Sequence, residues 1–266
     1  PQSFTIEERD GVTVIDNFEK DKGHFTTTPD YSGTTQGISG NSELVHSENM
    51  AYNGRGALRV ELEDDPNSSS DWEVRLLSSK GLPDQNVEMN PEGAVTLWLA
   101  TSTMHSEGQI SVWRGDSDGI EQTTAQQINT NGAWNKYIFP LTSAEIAPIT
   151  GNGEINASTV TIDAIFLTQP SRSEQGILYL DDIKYDKNYE APVYPVADFA
   201  LDKRTIYEGD TVYFENNSED ESSINWTFEG GSPNYSEKEN PKVAYKQAGN
   251  YDVKLQVTNE DRKSVV

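Results

Sequence analysis

Hydrophobic residues recur along the chain in short segments, most of which alternate between hydrophobic and polar positions. Successive side chains of a strand point to opposite faces of a sheet, so this period of two predicts strands with one buried face. Residues that favour turns, namely Gly, Pro, Asn and Ser, bound each segment. In the larger, N-terminal part of the chain the predicted strands are residues 12–18, 57–62, 72–77, 94–100, 109–113, 134–141, 160–167 and 177–185.

The alternation stops at residues 186–195, which contain Pro192 and Pro195. Proline favours extended backbone and cannot donate to a sheet, so this segment is typical of a linker. Alternation then resumes at 211–214, 225–228 and 251–257. We therefore predict an all-β protein with a first domain at 1–187, a linker at 188–195 and a smaller domain at 196–266.

Composition narrows the classes of partner. Lys and Arg number 20 against 44 Asp and Glu, which gives a formal net charge of −24. Such a chain repels nucleic acid, whose binding requires phosphate neutralisation. No apolar run approaches the roughly 20 residues that span a bilayer, so we predict neither nucleic-acid binding nor membrane insertion. Cysteine is absent, which excludes disulfides and thiolate chemistry. Residues 1–4 lack the features of a signal peptide, so any targeting segment is expected outside this sequence.

The second domain resembles the PKD domain, an immunoglobulin-like module of extracellular proteins. The resemblance rests on segments 209–214 (GDTVYF), 226–231 (WTFEGG), 240–241 (NP) and 249–253 (GNYDV). Thr227 and Glu229 depart from the commonest form of the second segment. The resemblance implies an immunoglobulin-like β-sandwich that acts as a spacer, within a longer parent chain that carries a catalytic or anchoring domain.

The first domain resembles the jelly-roll carbohydrate-binding modules attached to glycoside hydrolases and displayed on bacterial surfaces. Four segments occur in the usual order: 15–19 (IDNFE), 53–60 (NGRGALRV), 132–137 (GAWNKY) and 179–183 (YLDDI). The resemblance implies a galactose-binding-like jelly roll, a polysaccharide ligand, and an extracellular or cell-surface location. It also implies a structural Ca²⁺ held by Asn17, Glu19, a backbone carbonyl at Arg55 or Gly56, and Asp181, because calcium takes 6 to 8 oxygen ligands. If no calcium binds there, Glu19 and Asp181 are expected to be solvated turn residues.

Aromatic rings are the candidates for sugar contacts, because a sugar ring presents an apolar C–H face and a rim of hydroxyls. Trp98 and Trp113 fall on the opposite strand face from Val95, Leu97, Ile110 and Val112, so we predict that both leave the core. If their strands are neighbours, the two rings share one sheet surface, where Arg75 supplies hydrogen bonds. Tyr31, in a Gly/Thr-rich loop, and Trp72, after a polar loop, are further candidate contacts. Burial is the competing interpretation for the three tryptophans, and an ordinary exposed loop is the competing interpretation for Tyr31.

The leading hypothesis is non-catalytic binding of an extracellular polysaccharide such as a β-glucan or another plant or algal glycan. The arginines also keep a uronate or sulfated glycan as an alternative ligand. A glycoside hydrolase or polysaccharide lyase of jelly-roll fold is the first alternative, although no carboxylate pair is marked by a motif. The second alternative is a structural adhesin or stalk. Joint exposure of Trp98 and Trp113 favours glycan binding, whereas burial of both favours a structural role.

Overall fold

The computed structural model describes residues 10–116, 119–141, 146–154, 157–169, 175–259 and 263–265. The described residues are almost entirely strands and turns, apart from two short 3₁₀ segments at Ser78–Gly81 and Pro83–Gln85. This confirms the all-β class predicted from the alternation. The chain forms two compact units, Pro1–Glu190 and Ala191–Val266.

The strands of the first unit match the predicted segments closely, because their alternation is strong. Segments that the pattern did not single out, such as those at 43–47 and 120–123, are shorter and more polar. The strands are β1 (Val12–Asp16), β2 (Glu43–Ser47), β3 (Ala57–Glu63), β4 (Trp72–Leu77), β5 (Ala94–Thr101), β6 (Gln109–Gly115), β7 (Ile120–Thr123), β8 (Gln126–Gln127), β9 (Asn135–Pro140), β10 (Ile146–Pro148), β11 (Thr161–Gln169) and β12 (Gln175–Asp186).

Two antiparallel sheets make up the first unit. The first sheet has the order β2-β3-β12-β5-β9, with β1 also paired to β12. The second sheet has the order β10-β7-β6-β11-β4, with β8 also paired to β6. Neighbours in space are mostly distant in sequence, as in a jelly-roll sandwich. Consecutive strands β5 and β6 lie in different sheets, and this placement decides where their tryptophans go.

The core lies between the inner faces of the two sheets. Leu97 and Leu99 of β5 and Ile110 and Val112 of β6 are fully buried in one cluster. Burying a side chain of this size stabilises the folded state by about 1.5–3 kcal/mol. Because side chains alternate along a strand, the residues between these core positions lie on the outer face of their sheet.

The second unit is a smaller sandwich. Its strands are β13 (Phe199–Leu201), β14 (Thr211–Asn216), β15 (Ser223–Phe228), β16 (Gly231–Ser232), β17 (Tyr235–Ser236), β18 (Lys242–Tyr245), β19 (Val253–Thr258) and β20 (Lys263–Val265). One sheet has the order β13-β14-β18-β16 and the other β17-β15-β19-β20. Trp226 is fully buried among aromatic rings of the core, and its Nε1 donates to the carbonyl of Lys238 at 3.0 Å. The immunoglobulin-like sandwich predicted for this segment is confirmed.

Within the described part of the chain, no helix has the length and apolar character needed to cross a membrane.

Candidate functional site

The outer face of the second sheet carries a small aromatic cluster. Trp113 of β6 and Phe166 of β11 stack with ring centres 4.5 Å apart, and Ala164 packs beside them. The Trp113 Nε1 donates a hydrogen bond to Oε1 of Gln122 at 3.0 Å. The indole is therefore held on both its apolar and its polar side, and only 4% of Trp113 is exposed.

Arg75 of β4 connects this cluster to a carboxylate. Its guanidinium carbon lies 5.0 Å from the centre of the Trp113 ring. The same group donates from Nε at 3.1 Å and from Nη2 at 2.5 Å to Oδ2 of Asp163. A planar guanidinium can stack on an aromatic face and donate hydrogen bonds in its own plane at the same time. Arg75 and Asp163 are thus fixed relative to each other and to the ring.

A groove of about 810 Å³ opens above this pair. Its lining includes Tyr31, which is 61% exposed, together with Arg75 and Asp163. The loop of Tyr31 is anchored through Thr35, whose Oγ1 donates to the carbonyl of Pro29 and accepts the backbone N–H of Arg75, each at 3.0 Å. Three further carboxylates also line the groove: Asp84, Glu88 and Asp116.

The prediction that Trp98 and Trp113 share one sheet surface is wrong. β5 belongs to the first sheet and β6 to the second, so the two indoles lie on opposite outer faces of the sandwich. The alternation correctly places both outside the core, but Trp113 is covered by Phe166 and Arg75. Arg75 and Tyr31 do lie together, in the groove of the second sheet.

Trp72 does not display its ring to solvent. It is 1% exposed within the main core, and its Nε1 donates to Oδ1 of Asp64 at 2.9 Å. Its alternation with the core residues Val74 and Leu76 places the side chain inside. The expectation of Trp72 as an accessible sugar contact is therefore wrong, since its ring is enclosed in the core.

Trp98 lies on the outer face of the first sheet with partners that the sequence did not identify. The Tyr52 ring stacks on it with centres 3.7 Å apart and an interplanar angle of 13°. Trp134 approaches Tyr52 edgewise, at 6.1 Å between centres. Tyr52 is 42% exposed, and both indoles are partly exposed. The sequence signals were that Tyr52 adjoins the 53–60 segment and that Trp134 lies within the 132–137 segment.

The residues expected to hold Ca²⁺ converge on the loop after Tyr52. The Glu19 carboxylate accepts the backbone N–H of Arg55 at 3.0 Å and that of Gly56 at 3.3 Å. The side-chain oxygen of Asn17 accepts the N–H of Glu19 at 3.3 Å. Glu19 is thus more than a solvated turn residue, because it joins the turn after β1 to the loop that leads into β3.

Asp181 of β12 holds the same loop from the other side. Its Oδ2 accepts the N–H of Tyr52 at 2.8 Å and that of Asn53 at 3.0 Å, and Oδ1 accepts the N–H of Asp182 at 2.6 Å. Burial of this fully enclosed carboxylate raises its pKa, which the three N–H donors partly oppose. Carboxylates suit calcium as ligand types, but here their oxygens are engaged by N–H groups. Among the described residues, no three acidic, His or Cys side chains are grouped for a metal. The calcium site stays a prediction.

A comparison with known protein families bears on the second unit. Residues 192–265 match the family model of the PKD domain, which confirms the resemblance identified from the motifs of the second unit. No curated protein sequence matches the chain significantly.

Solved structures similar to the chain include two carbohydrate-binding modules and an enzyme. A family 30 module of a Clostridium thermocellum cellulosomal cellulase is 15% identical over 67% of this chain and 99% of its own, with a TM-score of 0.44. A family 11 module from the same organism is 14% identical over 66% of this chain and 94% of its own, at 0.39. A β-1,2-glucanase from Parabacteroides distasonis is 12% identical over 98% of this chain, at 0.41, and this chain spans only 39% of that enzyme. Carbohydrate-binding modules are the class that the motifs of the first unit resemble.

Proposed function

We propose that the first unit binds a polysaccharide chain in the groove of the second sheet and does not cleave it. The observation that carries the proposal is the position of Tyr31, an exposed ring at the groove beside the fixed pair of Arg75 and Asp163. A sugar ring stacks its C–H face on an aromatic ring and bonds its hydroxyls to charged groups. A volume of about 810 Å³ lies within the usual range of ligand pockets.

The charges at the groove favour a neutral glycan. Among the described residues, four carboxylates line the groove, those of Asp84, Glu88, Asp116 and Asp163. The Arg75 guanidinium, which also lines it, is already bonded to Asp163. Carboxylates accept hydrogen bonds from sugar hydroxyls but repel uronate and sulfate groups. A β-glucan or another neutral plant or algal polymer therefore fits the site better than an anionic one.

Native affinity electrophoresis tests this function. The gels contain mixed-linkage β-glucan, xyloglucan, laminarin, agarose or alginate, and we expect retardation by a neutral polymer but not by alginate. Tyr31→Ala removes the stacking ring and is expected to weaken retardation about tenfold. The matched control is Tyr207→Ala in the second unit, where the tyrosine is 86% exposed and outside the groove. Equal loss in both variants, or retardation by alginate alone, contradicts the proposal.

The absence of cleavage is tested separately. Prolonged incubation with each polysaccharide is expected to release no reducing ends and no unsaturated products. If products appear and Asp163→Asn abolishes them, the unit is an enzyme and the groove is its active site.

The proposal gives the second unit the role of a spacer in a longer, extracellular or cell-surface protein. The support is its match to the PKD family model, together with a groove whose described lining residues belong to the first unit. A variant that lacks residues 192–266 is expected to be retarded as strongly as the whole chain. Weaker retardation of that variant would show that the second unit takes part in binding.

A further inference from the structure

We propose that Tyr52, Trp98 and Trp134 form a second sugar-binding platform, on the opposite outer face of the sandwich from the groove. One molecule then holds two polysaccharide chains and cross-links them. The inference rests on the proposed function, in that both sites take a glycan, but it uses different residues and a different sheet.

The platform is built from three separate parts of the chain. Trp98 belongs to β5, Tyr52 to the loop before β3, and Trp134 immediately precedes β9. Tyr52 covers one face of the Trp98 indole, and the remaining exposed tyrosine surface is flanked by Trp134. An accessible ring surface with a second ring at its side suits the flat C–H face of a pyranose.

Two carboxylates, the buried one of Asp181 and the exposed one of Glu19, hold the loop of the platform in place. Asp181 lies directly opposite Trp98 in the pairing of β12 with β5, and it accepts the N–H groups of Tyr52 and Asn53. Glu19 accepts the N–H groups of Arg55 and Gly56 in the same loop. The loop is thus fixed at both ends, so little ordering entropy remains to be lost when a ligand stacks on Tyr52.

Polar groups border the rings. Lys136 lies directly opposite Trp98 on β9 and is exposed, and Asn53 is exposed beside Tyr52. Cross-strand partners share a face of the sheet, so the ammonium lies on the face of the platform. An ammonium and an amide supply donors and an acceptor for sugar hydroxyls.

The size of the patch argues against a protein partner. A stable protein interface buries about 800 Å² on each side. A large aromatic side chain offers about 150–250 Å² in total, and these three rings are already partly buried against one another. Their free surface matches one or two sugar units rather than a second copy of the chain.

The test uses the intact chain and the five polysaccharides named above, with turbidity as the readout of cross-linking. The wild-type protein is expected to be retarded by its polymer and to turn a dilute solution of that polymer turbid. Tyr52→Ala is expected to abolish turbidity and weaken retardation a few-fold, while Tyr31→Ala abolishes turbidity and leaves the platform as the remaining site. Tyr52→Phe keeps the ring and is the conservative control, with turbidity retained.

The outcomes separate this inference from the proposed function. If Tyr52→Ala behaves as wild type while Tyr31→Ala does not bind, the platform is wrong and the groove stands. If only Tyr52→Ala loses binding, the platform stands as a site, and both the groove and the cross-linking are wrong. If no polymer retards any form, both proposals fail. A concentration-dependent dimer that Tyr52→Ala dissociates, with retardation unchanged, makes the patch a protein interface.

Discussion

Arg75 lies over the Trp113 ring at 5.0 Å while its Nε and Nη2 both donate to Asp163. This arrangement covers the indole with the guanidinium, so the tryptophan is not an open plate. The residue that a ligand meets in the groove is Tyr31, in the loop tied to β4 through Thr35.

Trp113→Ala is expected to destabilise the first unit by about 3–5 kcal/mol, because it removes a large buried side chain and its stack with Phe166. Tyr31→Ala is expected to change the free energy of unfolding by less than about 0.5 kcal/mol, as for exposed positions. Urea unfolding followed by circular dichroism measures both. Equal and small effects on unfolding would show that the indole is not packed as described.

Arg114 and Glu121 are fully buried ionisable side chains that lie directly opposite each other in the pairing of β6 with β7. Burial lowers the pKa of Arg114, and the negative charges of Glu121 and Asp116 act in the opposite direction. Arg114→Met leaves the Glu121 charge buried and is expected to cost about 3–5 kcal/mol. Adding Glu121→Leu is expected to recover most of this loss in urea unfolding. A double variant as unstable as the sum of the single variants contradicts the coupling.

His24 gives the first unit a pH-dependent contribution to stability. Its Nδ1 lies 3.0 Å from both carboxylate oxygens of Asp16, and this hydrogen bond raises the histidine pKa from its ordinary value of 6.5, against a smaller opposing effect of burial. A raised folded-state pKa means that the contribution is complete below pH 6.5 and is lost as pH rises through the folded value.

We therefore expect the stability difference between wild type and His24→Gln to shrink as the pH rises above 6.5. Urea midpoints of both proteins across this range measure the difference, and an NMR titration of His24 reports its pKa directly. A difference that is constant with pH, or that grows toward pH 8, would contradict a raised pKa of His24 in the folded state.

Calcium is expected to raise the melting temperature of the first unit if Glu19, Asn17, Asp181 and a carbonyl near Arg55 bind it. A ligand at a hundred times its dissociation constant stabilises the folded state by about 2.7 kcal/mol. Calorimetry with calcium and with excess chelator measures this shift, and Glu19→Gln and Asp181→Asn should remove it. An identical melting temperature in both buffers would contradict the calcium site.

The alternation of residues determined much of the fold from the sequence alone. It located most of the longer strands, including 72–77 and 94–100, because each must bury one face and a strand has a period of two. It also indicated that Leu97 and Ile110 point inward and that Trp98 and Trp113 point outward. Local patterns record which face a residue occupies, because that requirement acts on each strand separately.

Only the tertiary structure decided which strands are neighbours, and therefore which side chains meet. Alternation does not specify the sheet to which a strand belongs, so it left Trp98 and Trp113 on one surface although β5 and β6 lie in different sheets. The stack of Tyr52 on Trp98 depends on Asp181, which is 129 residues away from Tyr52 in the sequence. Such contacts arise from long-range pairing of the whole chain, whereas the sequence pattern reports only the burial of each strand face.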